Sequence, residues 1–357
     1  MAVTTGPVRL GVVGYGAGGR FFHTPFIAAA EGIELAGVVT RSPVRRAEVE
    51  LDWPGVPVFD SLPALLATGV DAVTITTPPE TRRELVLEAL AAGVHVVADK
   101  PFAPSADIGR ELADAADAAA VLLSVFHNRR WDADIRTLAA VIESGRLGEL
   151  WRVHSRFDLD DPGSLEAGPG GGLLRDLGSH VVDQMIWLLG DVRGVNAHLD
   201  WVELPEGPTD AGFCIELEHS SGVRSHVESS KLNHLEVREL RAYGSEGSYR
   251  ATGTDVQAQA IFAGKRPADD LAGWGYEATD RWGVLATAAG DEPVPSEQGR
   301  HHDLYTAFAV AVRGEGPQPV PARDAVRTLA VLDAARLSAE WGRSVSVLTS
   351  QAPALHL

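Results

Sequence analysis

Residues 10–19, LGVVGYGAGG, decide the fold. Val8, Leu10, Val12 and Val13 read as a short buried strand that runs into Gly14, Gly16 and Gly19 at G-x-G-x-x-G spacing. Gly14 permits a sharp strand-to-helix turn, Gly16 lacks the Cβ that would keep a pyrophosphate off the backbone, and Gly19 lets the next helix approach the strand. Residues 20–30 are compatible with that helix, and the free N–H groups at its start suit an anion. A tight turn without a ligand uses the same glycines. A strand before it and a helix after it are the context that a dinucleotide site requires.

About twenty residues on, the strand Ile33–Val39 ends in Thr40, Arg41 and Ser42, followed by Arg45 and Arg46. An NAD site usually carries Asp or Glu there to bind the ribose hydroxyls, and this strand end has no carboxylate. A guanidinium flanked by hydroxyls suits a 2′-phosphate, because arginine meets phosphate with a planar fork. NADP is therefore expected over NAD, with NAD possible. The alternative is a solvated basic turn with Arg45 and Arg46 facing water.

The 357 residues suffice for two domains with full cores. A formal net charge of −18 disfavours nucleic acid and anionic membrane as partners. The single cysteine, Cys214, allows no internal disulfide and fits a reducing compartment. The first ten residues, MAVTTGPVRL, lack the apolar core of a signal peptide, and no apolar stretch is long enough to span a bilayer, so a cytoplasmic location is expected.

Outward from the glycine turn, strand and helix alternate: strand 70–76, helix 82–92, strand 94–98, helix 105–119 with Ser105 as N-cap, and strand 121–125. Buried apolar strands alternating with helices imply a parallel sheet covered on both faces, a Rossmann domain over residues 1–124. The remainder, 125–357, changes character. A helix at 132–144 leads to strands at 149–159, 195–204, 212–219, 223–231, 236–243 and 248–252, several joined by short turns. Helices at 172–189, 300–313 and Ala322–Trp341 complete it. The predicted fold class is α/β, a Rossmann domain followed by a C-terminal α/β domain with a large, open, mostly antiparallel sheet. The uncovered sheet face is the expected interface of a homodimer or homotetramer.

Three segments carry candidate chemistry. Asp99-Lys100-Pro101 follows the strand at 94–98, at the carboxyl end where ligands of such sheets bind. Lys100 there is placed to hold a substrate hydroxyl; the alternative is a solvated loop lysine. In the segment 171–183, GGLLRDLGSHVVD, a helix puts Asp176 and His180 one turn apart and Asp183 at i+7. A histidine beside a carboxylate accepts a hydroxyl proton near neutral pH. The alternatives are a helix cap with a core histidine, or a metal site completed by His301 and His302. No third ligand is placed locally, so no metal is expected. The third segment, His127-Asn128-Arg129-Arg130-Trp131-Asp132, either shapes the cofactor cleft or pins the domain interface. The candidate cofactor contacts are Gly14, Gly16, Gly19, Thr40, Arg41, Ser42, Thr77, Pro78, Asp99, Lys100 and Asn128.

The glycine turn, Phe22-His23-x-Pro25, Thr76-Thr77-Pro78, Lys100-Pro101, the 127–132 segment and Asp176-x-Gly178-x-His180-x-x-Asp183 occur in order. From about residue 8 to 345 the chain resembles the glucose–fructose oxidoreductase/inositol dehydrogenase/rhizopine catabolism (Gfo/Idh/MocA) family, and looks closest to its NADP-dependent scyllo-inositol dehydrogenase branch. The resemblance implies hydride transfer between a nicotinamide and a sugar or cyclitol. It implies that Lys100 is the lysine of the family's E-K-P motif, Asp176 the substrate-binding aspartate and His180 the catalytic histidine. Two departures stand out: Asp99 replaces Glu before the lysine, and Arg82 stands where many members carry His. The segment 158–169 is short and rich in Gly and Pro beside that branch. A non-catalytic nucleotide-dependent sensor is the alternative from another class, and Lys100, Asp176 and His180 together favour the enzyme.

Overall fold

The computed structural model describes residues 6–168 and 170–347; the expectation for the N-terminal residues 1–5, and Pro169 at the end of the 158–169 segment, lie outside the described residues. Strand β1 (Val8–Val13) is buried over almost its whole length, so it sits inside a sheet rather than at an edge. It pairs in parallel with β2 (Ile33–Val39) on one side and β4 (Ala72–Ile75) on the other. With β3 (Val58–Phe59), β5 (His95–Ala98) and β6 (Leu123–Val125) the order is β3-β2-β1-β4-β5-β6. The chain leaves β1 in one direction and returns to its other side at β4. The carboxyl ends of β1 and β4 therefore meet at the switch point where this class of sheet binds ligands.

Helices α1 (Thr24–Ala29), α2 (Pro43–Asp52), α3 (Leu62–Leu66), α4 (Pro79–Ala91) and α5 (Ala106–Ala119) connect these strands. Ser42, Ser61 and Ser105 cap α2, α3 and α5, each side chain accepting an N–H three residues on. The helix expected at 20–30 is two pieces, a wide π-helical stretch at Gly18–His23 and then α1. Pro25 has no N–H to give to the preceding turn, and the change in winding falls just before it.

Contacts divide the chain into two units. The first runs to Ala133 and adds Asp255–Tyr276 and Gln298–Ala325; the second comprises Asp134–Thr254, Glu277–Glu297 and the residues from Val326. This differs from an uninterrupted split at 124/125. The segment 298–325 bonds to the parallel sheet, where Val125 N–H donates to Val320 O at 3.0 Å and Ser124 bridges Pro321, and the segment 255–276 reaches the end of α2, where Arg266 donates to Asp52 O at 2.9 Å. Helices α8 (Val256–Phe262) and α9 (His302–Val312) thus belong to the first unit, and α10 (Ala322–Trp341) begins there and continues in the second. Periodicity reveals that a helix exists but not which sheet it packs on.

In the second unit, α6 (Ala133–Glu143, its first residue in the first unit) precedes β7 (Leu150–Asp158), and α7 (Leu173–Leu189) precedes β8 (Val192–Leu204). Strands β9 (Gly207–His219), β10 (Arg224–Ser230), β11 (Val237–Gly244), β12 (Gly247–Thr252), β13 (Gly283–Thr287), β14 (Gly290–Val294) and β15 (Val345–Ser346) follow. The order is β14-β13-β12-β11-β7-β10-β9-β8-β15, antiparallel except where β7 meets β10. One face presents Val153, Phe213, Ile215, Leu217, Val227 and Leu240 to the core, and α7 packs on β7, β9 and β10. The other face carries Arg152, His154, Arg156, Glu216, Arg224, His226, Glu228 and Arg241, all exposed or half-exposed. No described helix is long and apolar enough to cross a membrane.

Candidate active site

The glycine turn has the local geometry its spacing implies. Gly14 has φ +104°, where an L side chain is strained, and a Cβ on it would lie 2.9 Å from Thr76 Oγ1. A Cβ on Gly19 would lie 2.3 Å from Gly14 O, so only glycine lets the helix close on the strand. A Cβ on Gly16 would meet nothing within 4 Å. Its backbone faces open space, the approach a pyrophosphate needs. Thr76 Oγ1 donates to Gly14 O at 2.9 Å and ties the ends of β4 and β1 together. These residues fit a nicotinamide dinucleotide.

Beyond β2, the basic residues separate by their partners. Arg45 pairs with Glu48 at 2.7 Å and Arg46 with Asp60. Arg20 is held by Glu48 and Asp52, both at 2.7 Å. Tyr15 also donates to Asp52, and burial together with that carboxylate raises its phenol well above its ordinary value. Arg41 is exposed at the strand end, beside Thr40 and the capping Ser42. Arg45 and Arg46 do not simply face water.

At the end of β5, the Lys100 N–H donates to Asp99 Oδ1 at 2.8 Å. Burial alone would raise the Asp99 carboxyl, yet His23, Arg82 and Lys100 outweigh it and hold the group well below the usual carboxylate range. His23 is fully buried, with Nδ1 2.6 Å from Tyr305 Oη and Nε2 3.4 Å from Asp99 Oδ1, and its ring lies against Phe126. Arg82 donates to Thr77 O (2.8 Å), Pro101 O (2.6 Å) and Asp99 O (3.1 Å). The departure from histidine at this position is a buried clamp that joins the loop at Thr77-Pro78 to the Asp99-Lys100-Pro101 loop. Asn128 is buried, with Nδ2 3.3 Å from His301 Nδ1, and His301 Nε2 is 2.5 Å from Asp132 Oδ1. His302 lies 3.3 Å from Asp303. Among the described residues, no cluster of three or more His, Cys, Asp or Glu has the geometry for a metal ion.

In the second unit, Gly172 (φ +93°) opens α7, and a Cβ there would lie 2.1 Å from Asp210 Oδ1. Asp210 accepts the Leu174 N–H at 2.6 Å and pairs with Arg336 at 3.0 Å. It satisfies a free donor of the helix start from across the fold, which no local capping signal announces. Asp176 follows in the first turn with its side chain 42% exposed, and His180 one turn later is buried. Asp183 is buried, 3.3 Å from Thr328 Oγ1, and belongs to the core. Two residues outside the sequence-derived set join this group. Lys231, just past β10, donates to Asp176 Oδ2 at 2.9 Å and to Ser164 Oγ at 2.8 Å. Composition carries a signal for it: only three of the 31 basic side chains are lysines, Lys100, Lys231 and Lys265.

A family model described as an oxidoreductase family with an NAD-binding Rossmann fold (Gfo/Idh/MocA) matches residues 8–127, and the Gfo/Idh/MocA C-terminal domain matches 135–250. YdgJ of Escherichia coli, an uncharacterized oxidoreductase, is 35% identical over 91% of this chain and 94% of its own length. IolW of Bacillus subtilis, a scyllo-inositol 2-dehydrogenase (NADP(+)), is 29% identical over 95% of each chain. The solved structure of YPO2259 from Yersinia pestis superposes with a TM-score of 0.88 at 32% identity, covering 98% of this chain and 100% of that one.

Proposed function

The chain belongs to the Gfo/Idh/MocA family of NAD(P)-binding oxidoreductases acting on CH–OH groups, and from that membership we propose that it interconverts a hydroxyl and a ketone on a sugar or cyclitol, with NADP preferred over NAD. Lys100, Asp176 and His180 together weigh against the sensor alternative, which needs none of them as a set. The observation that carries the substrate reading is His180 one turn after a half-exposed carboxylate, Asp176, on one helix. That spacing suits a polyol: the carboxylate binds one hydroxyl while the imidazole takes the proton of its neighbour. NADP preference rests on Arg41, exposed at the end of β2 while Arg45 and Arg46 are spent on carboxylates. IolW, by name an NADP enzyme, agrees with it.

The dinucleotide, bound at the glycine turn, would supply its nicotinamide as hydride acceptor or donor. Gly14, Gly16 and Gly19 would receive the pyrophosphate, Thr40, Arg41 and Ser42 the adenosine end, and Thr77, Pro78, Asp99, Lys100 and Asn128 would complete the contacts. His180 accepts the hydroxyl proton on oxidation and returns it on reduction. Lys100 orients that hydroxyl and favours its loss of a proton. The protein works as a homodimer or homotetramer through the uncovered face of the second sheet, whose mixed charges suit a second copy. It acts in the cytoplasm.

The deciding experiment follows coenzyme reduction across a panel of cyclitols and aldoses, with NADP and NAD in parallel. Turnover of at least one polyol, faster with NADP, is expected. Failure on every polyol would overturn the substrate class, and equal affinity for the two coenzymes would overturn the preference.

A further inference from the structure

Lys231 has no role in that account, yet its surroundings are unusual for this chain. Almost every cation here is an arginine, and most of those sit in exposed or half-exposed ion pairs. Lys231 is 4% exposed. A buried ammonium is costly unless its donors are satisfied. Two of the three are placed on Asp176 and Ser164, and the backbone N–H is spent on Ala211 O at 3.1 Å. The two acceptors come from different segments. Asp176 lies in the first turn of α7, and Ser164 in the 3₁₀ turn Pro162–Ser164 of the segment before it. An arginine fork would span these acceptors in a plane, whereas lysine reaches them as a compact point with separately aimed donors.

The geometry points to Lys231 as the positioning residue of the substrate-binding carboxylate. It fixes one side-chain setting of Asp176, whose side chain stays 42% exposed, and through Ser164 it fastens the 162–164 turn to the same point. Its charge also offsets that of Asp176, so the pair leaves no net positive charge to hold a sugar acid, and the ligand it suits is an uncharged polyol. This assignment rests on Asp176 as the substrate-binding residue. It adds what holds Asp176 and what charge the ligand bears.

The test uses the full-length enzyme, NADP and the neutral polyol it turns over fastest, with native protein, Lys231→Met, Lys231→Arg, Ser164→Ala, Asp176→Asn and the double variant Lys231→Met/Asp176→Asn. Steady-state kinetics, NADPH affinity by fluorescence and the thermal midpoint are read for each. Lys231→Met should raise KM about tenfold or more with kcat within about threefold, the signature of lost ground-state binding, and NADPH affinity should hold. Lys231→Arg should recover part of the KM, and Ser164→Ala should raise it less than Lys231→Met. Asp176→Asn should raise KM similarly, with no further rise in the double variant, because both act through one contact. A native KM in folded Lys231→Met, or additive effects in the double variant, would overturn the assignment. So would a native enzyme that turns over aldonates as well as neutral polyols. Should Lys231→Met fail to fold, Lys231→Arg and Ser164→Ala carry the KM comparison. Should the native enzyme turn over no polyol, the proposed function fails by itself. The coupling of positions 176 and 231 in the thermal midpoint then decides alone: additive changes refute the contact and non-additive ones uphold it.

Discussion

Arg41 carries the coenzyme prediction because its neighbours are occupied. Arg41→Ala should weaken NADP binding by about 1–3 kcal/mol, the worth of a charge-assisted bond, and leave NAD little changed; isothermal titration with both coenzymes measures this, and an equal loss for the two would sink it. His180 carries the catalytic one. Loss of a general base costs about 10²–10⁴ in rate, so His180→Ala should lower turnover by that order while NADP affinity survives, because the proposed coenzyme residues all lie in the first unit and His180 in the second. Lys100→Ala should also impair turnover, and near-native rates in both variants would refute the assignment. The sequence singles these residues out by position: Arg41 follows the strand Ile33–Val39, Lys100 follows the strand ending at Ala98, and His180 lies one turn after Asp176. Arg82 was legible only as an oddity: a sequence shows that a guanidinium replaces an imidazole, but not that three carbonyls converge on it. Composition marks Lys231 as one of three lysines but not what it holds, since its acceptors lie 55 and 67 residues away.

At the scale of elements, the glycine turn separates binding from folding. Alanine at 16 meets no protein atom within 4 Å, so Gly16→Ala should keep a near-native thermal midpoint and lose coenzyme affinity. Alanine at 19 meets the Gly14 carbonyl at 2.3 Å, so Gly19→Ala should lower the midpoint as well as the affinity. Thermal denaturation with and without NADP distinguishes them, and a destabilised Gly16→Ala or an unaffected Gly19→Ala would contradict the division of labour. Strands such as Ile33–Val39 and helices such as Ala322–Trp341 were legible to the residue, because a strand covered on both faces reads as a nearly continuous apolar run and a packed helix as a 3.6 period. The β13–β14 hairpin was not, since β14, GDEPV, is exposed almost throughout and carries no alternation. Helix α8 spans only seven residues, and the π-helical stretch at Gly18–His23 has the composition of an ordinary helix.

For the whole molecule, the two sheet types were legible from the switch between alternating and consecutive strands, but the return of 255–276 and 298–325 to the first unit was not, because long-range packing leaves no local pattern. The uncovered second sheet predicts a dimer or tetramer in solution, and light scattering that finds a monomer at micromolar concentration would refute it. Acid stability is a further property of the whole chain. Burial lowers the pKa of His95, His154, His219 and His302 below the ordinary histidine value. His219 shows the cause: its ring is fully buried, and that burial outweighs the Nδ1–H bond to Gly190 O at 2.8 Å, which by itself favours the charged form. The unfolded chain takes up protons at these four sites near pH 6.5, while the folded chain does so only at lower pH. The unfolded state therefore binds more protons as pH falls through about 6.5, and stability must fall with it. Asp99, depressed in the folded state, adds its own loss in a lower window, below about pH 4. The thermal midpoint at constant ionic strength should be nearly level from about pH 8 to 7 and drop from about pH 6.5 to 5. His219→Asn, which keeps a donor for Gly190 O but does not titrate, should make that drop shallower. A midpoint that holds level or rises through this range would mean that these histidines are already charged in the fold.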